Sequence, residues 1–123
     1  MNPTLINEMN VALEKYFDLM YDCDVSRFDD VFAKTAQLHG FREGQMSCWP
    51  APQYKEVLAG RTSPKAQGAA RESQVIMLDL TPPTQALAKV RVRIGEMVFV
   101  DYLSYHKIDG RWLVTSKAYH REA

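Results

Sequence analysis

The side chains of this 123-residue chain with chemistry to offer are few: three histidines, two cysteines, and an aspartate, Asp101, set among apolar residues. His39, His106 and His120 are the groups whose charge changes nearest neutral pH. Of these, His120 is placed to act as a general base, with a frayed surface histidine near the chain end as the alternative. The three lie far apart and show none of the short spacings of a metal site, so neither metal nor cofactor is expected. Cys23 and Cys48 form no Cys-x-x-Cys pair and lack basic neighbours in the chain, which predicts buried, unreactive thiols. Gly40, Gly44, Gly60 and Gly68 lack the strand–glycine–helix context of a phosphate loop. Trp49, Tyr54, Tyr105 and Trp112 offer flat apolar faces that suit a ring-shaped ligand, and equally suit an aromatic core.

The elements that must hold these groups are read from periodicity. Leu5, Met9, Ala12, Leu13, Tyr16, Phe17 and Met20 recur at three- and four-residue steps, predicting a helix from Thr4 to Tyr21. Asp24 can cap a second helix, Val25 to Ala33, carrying Phe28 and Phe32. From Ala36 the pattern shortens to a strand over Gln37–Phe41, a turn at Arg42-Glu43-Gly44 and a strand from Met46 to Trp49. Pro50-Ala51-Pro52 opens a short helix through Tyr54, Val57 and Leu58 that Gly60 stops, and Arg61–Ala70 is a polar loop. Strands follow at Gln74–Leu80, Ala86–Ile94, Met97–Ile108 and Arg111–Tyr119, the last two joined by Asp109-Gly110. Helices first and strands last predict an α+β fold with helices covering one face of a curved antiparallel sheet, as one domain over residues 1–123.

A two-residue turn at Asp109-Gly110 fixes the register of the last hairpin. One face then carries Phe99, Asp101, Leu103, Tyr105, Trp112, Val114, Ser116, Ala118 and His120; the other carries Val98, Val100, Tyr102, Ser104, His106, Leu113, Thr115, Lys117 and Tyr119. The first is expected to face inward as a pocket wall, the second outward toward a partner subunit. No basic side chain shares the inner face with Asp101, so its carboxyl is expected to keep its proton and donate a hydrogen bond toward Tyr16 or a ligand.

Composition narrows the classes of function. Fifteen basic side chains balance fifteen acidic ones, which argues against nucleic acid as a partner. No apolar run is long enough to cross a bilayer, and Met1–Asn10 shows no basic-then-apolar export pattern, so a cytoplasmic setting with reduced thiols is expected.

Leu13-Glu14-Lys15-Tyr16-Phe17, Ala36-Gln37-Leu38-His39-Gly40, Ala88-Lys89-Val90-Arg91-Val92, Asp101-Tyr102-Leu103-Ser104 and Asp109-Gly110-Arg111-Trp112-Leu113-Val114, in that order, resemble the nuclear transport factor two superfamily. Within it the chain is most similar to the bacterial "putative lumazine-binding" family over about residues 10–120. The resemblance implies a cone with a pocket between helices and sheet, and commonly a dimer through the outer sheet face. It implies no single chemistry. The chain also resembles ketosteroid isomerase. Aligned without a gap, Tyr16 and Asp101 fall on that enzyme's two oxyanion-hole donors, while Gly40 stands where its general-base aspartate would be.

Three functions remain open on these grounds. The first is a small-molecule binder whose pocket uses Tyr16, Met20, Trp49, Tyr54, Phe99, Asp101, Tyr105, Trp112, Ser116 and His120. The second is a lyase or isomerase acting on a carbonyl compound, with Tyr16 and Asp101 as donors and His120 as base. The third is a dimeric adaptor that uses only its sheet face. Steroid isomerisation itself is not expected without a carboxylate at Gly40.

Overall fold

A computed structural model describes residues 3–123; Met1 and Asn2, the start of the segment read for an export signal, lie outside the described residues. Helix α1, Pro3–Asp22, buries the apolar stripe that its periodicity marks, from Leu5 through Tyr16 to Met20. Asp24 then caps a short 3-10 helix, Val25–Asp30, its carboxylate accepting the Ser26 N–H at 3.1 Å. The α-helix expected as far as Ala33 does not form. The Val31 carbonyl accepts the Val114 N–H at 2.8 Å, so the chain passes into the sheet there instead of closing another helical turn. Phe32 and Ala33 belong to strand β1, and Phe28 stacks on Phe32 across the junction at 4.9 Å.

Strand β1, Phe32–Arg42, turns through Glu43 and Gly44 into β2, Gln45–Pro50. Helix α2, Ala51–Gly60, follows directly, with Pro52 in its first turn, where the missing N–H costs nothing. The segment 61–72 returns to α1: the Lys65 N–H donates to the Tyr21 carbonyl, and the Tyr21 hydroxyl to the Ala69 carbonyl. Strands β3 (Ser73–Thr81), β4 (Gln85–Ile94), β5 (Met97–Ile108) and β6 (Arg111–Arg121) form an antiparallel meander. The six strands run in the order β2-β1-β6-β5-β4-β3, and β1 pairs with β6 in parallel, so the sheet is not antiparallel throughout. The architecture is α+β, a curved, unclosed sheet with the helices on its concave face. The core lies between them, centred on Met9, Leu13, Tyr16, Phe32, Leu58, Val90, Leu103 and Val114. No described helix is long and apolar enough to cross a membrane.

The last hairpin carries the most consequential local feature. Asp109 and Gly110 both have positive φ (50° and 78°), as a tight two-residue turn with the sheet's twist requires. The register they set holds as far as Tyr105 opposite Val114; Ser104 then pairs with Ser116, leaving Thr115 as one extra residue. This β-bulge reverses the alternation of every side chain beyond it. Thr115 is held by hydrogen bonds on both sides, its hydroxyl lying 2.6 Å from Nδ1 of His106 and 3.3 Å from the Ser104 carbonyl. Lys117, Tyr119 and Arg121 therefore face inward, whereas Ser116, Ala118 and His120 face outward and are exposed. The sequence-based assignment of β6 is correct up to Val114 and inverted after it. An extra residue inside a strand leaves no mark in an alternation of Ser, Lys, Ala and Tyr. Of the proposed outer set, Lys117 and Tyr119 turn inward, while Tyr102 and His106 stay on the outer face.

Removing the extra residue tests this reading. Deletion of Thr115 makes Val114 and Ser116 consecutive, so regular alternation keeps Lys117 and Tyr119 inward and Ser116 and Ala118 outward; the variant is expected to unfold cooperatively in urea, losing only the bonds of Thr115 to His106 and Ser104. A deletion variant without a cooperative transition would contradict the reading of Thr115 as the extra residue.

Candidate functional site

Asp101 lies on the inner face of β5, beneath α1 and almost wholly buried (2% exposed). Tyr16, one turn before the end of the apolar stripe of α1, donates its hydroxyl to Asp101 Oδ2 at 2.5 Å. Lys117, turned inward by the bulge, places Nζ 3.8 Å from the same oxygen. Lys117 also donates to the Tyr54 hydroxyl at 3.3 Å, and its ammonium lies over the Tyr16 and Tyr54 rings at 5.2 and 5.1 Å. The Tyr54 hydroxyl in turn points at the Met20 sulfur, 3.5 Å away. Residues from α1, α2, β5 and β6 thus converge on one buried carboxylate.

The electrostatics follow from this convergence. Burial alone would push the Lys117 ammonium below its ordinary value, but the Asp101 carboxylate, with the Tyr54 hydroxyl, more than offsets it and leaves Lys117 raised. Tyr16 is pushed well up by burial, and the adjacent Asp101 charge adds to the shift. Tyr105, deeper in the core, is raised by burial alone. The sequence-based expectation that no basic side chain faces Asp101 is corrected: Lys117 is that cation, hidden by the assumed register. Neither O–H of the expected oxyanion pair is free for a carbonyl, because Tyr16 donates to Asp101 and Asp101 accepts.

Above this cluster lies a cavity of about 630 Å³. Met20, Tyr54, Asp101 and Lys117 form its floor, while Leu38, Trp49, Val57, Phe99 and Tyr119 contribute to its walls. Arg42, Glu43, Arg61 and Arg121 also line it. Trp49 Nε1 donates to the Tyr119 hydroxyl at 3.3 Å, joining two of the walls, and Arg42 lies over the Trp49 ring at 6.0 Å. Asp101 Oδ1 is buried with no hydrogen-bond partner among the described residues, although Oδ2 is fully engaged.

Of the site residues expected from sequence, Met20, Trp49, Tyr54, Phe99 and Asp101 line the cavity. Tyr16 lies directly beneath them, without exposed surface. Tyr105 and Trp112 are buried elsewhere, and the Trp112 indole donates to Glu8 Oε1 at 3.1 Å. Ser116 and His120 are exposed on the opposite face of the sheet. His120 is therefore not placed to act as a base in the cavity. Cys23 is buried as expected, but Cys48 is exposed, its sulfur 3.6 Å from Nε2 of His39. Sequence reasoning missed Lys117, Tyr119 and the three arginines. The first two were concealed by the bulge, and the arginines sit in turns or strand ends where periodicity says nothing about direction.

Gly40 has a specific neighbour. It pairs with Tyr119 across the parallel strands, and a Cβ added to it would lie 2.4 Å from the Tyr119 ring and 2.6 Å from the Tyr119 carbonyl oxygen. A carboxylate side chain cannot be built at Gly40 without displacing Tyr119. The bulge that brings Tyr119 inward and the glycine that admits its ring are thus one arrangement.

A family described as "Putative lumazine-binding" matches residues 6–120. Among curated proteins, none matches the chain. Among solved structures, an NTF-2 like protein of unknown function from Silicibacter pomeroyi DSS-3 superposes with a TM-score of 0.83 at 18% identity, covering 99% of this chain and 100% of the other. An NTF2-like protein of unknown function from Shewanella baltica OS155 gives 0.83 at 22% identity, with 99% of each chain covered. A ketosteroid isomerase-like protein from Erwinia carotovora atroseptica SCRI1043 gives 0.74 at 10% identity, covering 100% and 99%. At these identities the likeness is one of fold: a nuclear transport factor two-like cone.

The buried cluster has a signature in alkali. Lys117 and Tyr16 both hold their protons more firmly in the folded chain than at their ordinary values of 10.5 and 10.0. Their contribution to stability is fully present below those values and is lost as pH rises through them toward the folded ones. Urea midpoints are expected to stay level from about pH 7 to about pH 9 and to fall between about pH 10 and 12, less steeply in Tyr16→Phe. An identical alkaline slope in parent and Tyr16→Phe would contradict the assignment.

Proposed function

The chain belongs to the "Putative lumazine-binding" family, and from that membership we propose that it binds a small organic molecule in the cavity between α2 and the concave face of the sheet. The observation that carries this reading is the cavity itself: about 630 Å³, walled by Trp49, Phe99 and Tyr119, and floored by a polar cluster that includes an unpartnered carboxylate oxygen. Sites for small molecules are concave, mostly apolar and furnished with a few fixed polar groups, and this cavity has each of those properties. The aromatic walls favour a flat ring over a flexible chain.

Binding without turnover is the better-supported form of the proposal. General acid–base chemistry needs a group free to take up or release a proton beside the substrate. Tyr16, Asp101 and Lys117 are committed to one another, Gly40 is backed by Tyr119, and His120 lies on the other face.

N-phenyl-1-naphthylamine, a neutral dye whose emission rises in apolar surroundings, tests the reading. Its fluorescence is expected to rise saturably with the purified protein. Val57→Phe, which adds a ring at the cavity wall, should weaken binding at least about tenfold, or about 1.4 kcal/mol, with an unchanged circular dichroism spectrum. No saturable rise, or equal binding by a folded Val57→Phe variant, would refute it.

A further inference from the structure

We infer that the ligand of this cavity is a flat organic anion: a ring system bearing a carboxylate, sulfonate or phosphate at the end near the arginines, and an O–H or N–H donor at the end that reaches Asp101. The inference rests on the binding reading above and adds the chemistry at both ends of the ligand.

The first observation is a division among the arginines. Arg27, Arg71, Arg91, Arg93 and Arg111 each lie within 4.0 Å of a side-chain carboxylate. Arg42, Arg61 and Arg121 have no such partner among the described residues, and these three line the cavity. Arg42 lies over the Trp49 ring, and Arg121 donates to the Ala123 carbonyl at 3.1 Å. Glu43 is the acidic residue that lines the cavity alongside them, while Lys117 and Asp101 balance each other at the floor. Arg61 is close enough for its charge to oppose that of Lys117. Three guanidiniums against one carboxylate give the cavity a positive potential, and guanidinium forks match carboxylate and phosphate geometry.

The second observation is independent of the first. Asp101 is 2% exposed and lines the cavity, and its Oδ1 is buried without a partner. A buried acceptor left unmade is costly, and a carboxylate oxygen can only accept. The group that completes it must be a donor. Trp49, whose ring Arg42 overlies, and Tyr119, bonded to Trp49, line the same cavity as this acceptor, so a flat ring held against them would direct its donor toward Asp101 and its anion toward Arg42.

Four naphthalenes separate the two ends. 6-Hydroxy-2-naphthoate carries donor and anion at opposite ends of a flat ring, 6-methoxy-2-naphthoate lacks the donor, 2-naphthol lacks the anion, and 2-methoxynaphthalene lacks both. Calorimetric titration at pH 7 is expected to rank the first tightest, by about tenfold over each single-function compound and more over the last. The combined variant Arg42→Gln, Arg61→Gln, Arg121→Gln should erase the advantage of the carboxylate and leave that of the hydroxyl. Raising the salt concentration should weaken the two naphthoates selectively. If 2-naphthol binds as tightly as 6-hydroxy-2-naphthoate, or the arginine variant preserves the ranking, the anionic end is wrong. If the methoxy and hydroxy compounds bind alike, the donor end is wrong. Failure of all four while N-phenyl-1-naphthylamine binds would overturn this inference alone; failure of that dye as well would overturn the binding reading beneath it.

Discussion

The Asp101–Lys117 ion pair is the constraint from which much of the structure follows. Both side chains are nearly free of solvent, and two charges withdrawn from water are tolerated only when each is closely partnered. Partners come from four elements: Tyr16 from α1, Tyr54 from α2, and the two charged residues from β5 and β6. The pair therefore requires the helices to close over the concave face of the sheet, and closure in turn removes the water that would otherwise screen it. An apolar replacement of similar volume could pack there, so the pair specifies the arrangement more than it adds to stability.

The same constraint explains local features that look unrelated. Lys117 reaches Asp101 because Thr115 is taken up as a bulge in β6 instead of continuing the alternation, and the same bulge brings Tyr119 inward. The Tyr119 ring needs room, and Gly40 on the adjacent strand supplies it. Bulge, lysine, tyrosine and glycine form one connected device. Its outcome is a cavity with a charged but internally balanced floor, aromatic walls and, along its lining, guanidiniums without a side-chain carboxylate partner among the described residues. Such a floor presents fixed charges and hydrogen-bonding groups to whatever occupies the cavity.

Much of the fold was legible in the sequence. The period of α1, the alternation in β4 and the Asp109-Gly110 turn each express a local rule strong enough to survive tertiary packing. Asp101 on an inner strand face and Tyr16 on an inner helix face were recoverable for the same reason. The site was only half legible. A β-bulge depends on cross-strand hydrogen bonds, here through Thr115, that no one-dimensional pattern encodes, and missing it inverted Ser116, Lys117, Tyr119 and His120 together. The helix expected over Val25–Ala33 forms as a 3-10 helix and ends at Asp30 for a similar reason, since the Val31 carbonyl is claimed by a strand more than eighty residues away in sequence. Both errors arose where a long-range hydrogen bond overrode a local preference.

A double-mutant cycle on Asp101 and Lys117 tests the central claim most directly. With Asp101→Asn, Lys117→Met and the double variant compared by urea unfolding at pH 7, each single change should cost about 3–5 kcal/mol, because each leaves a buried charge without its partner. The double variant removes both charges, so it should be no less stable than either single one, with a coupling energy of at least about 2 kcal/mol. Strictly additive losses, or an Asp101→Asn variant as stable as the parent, would mean that the two residues do not form the buried pair on which this account rests.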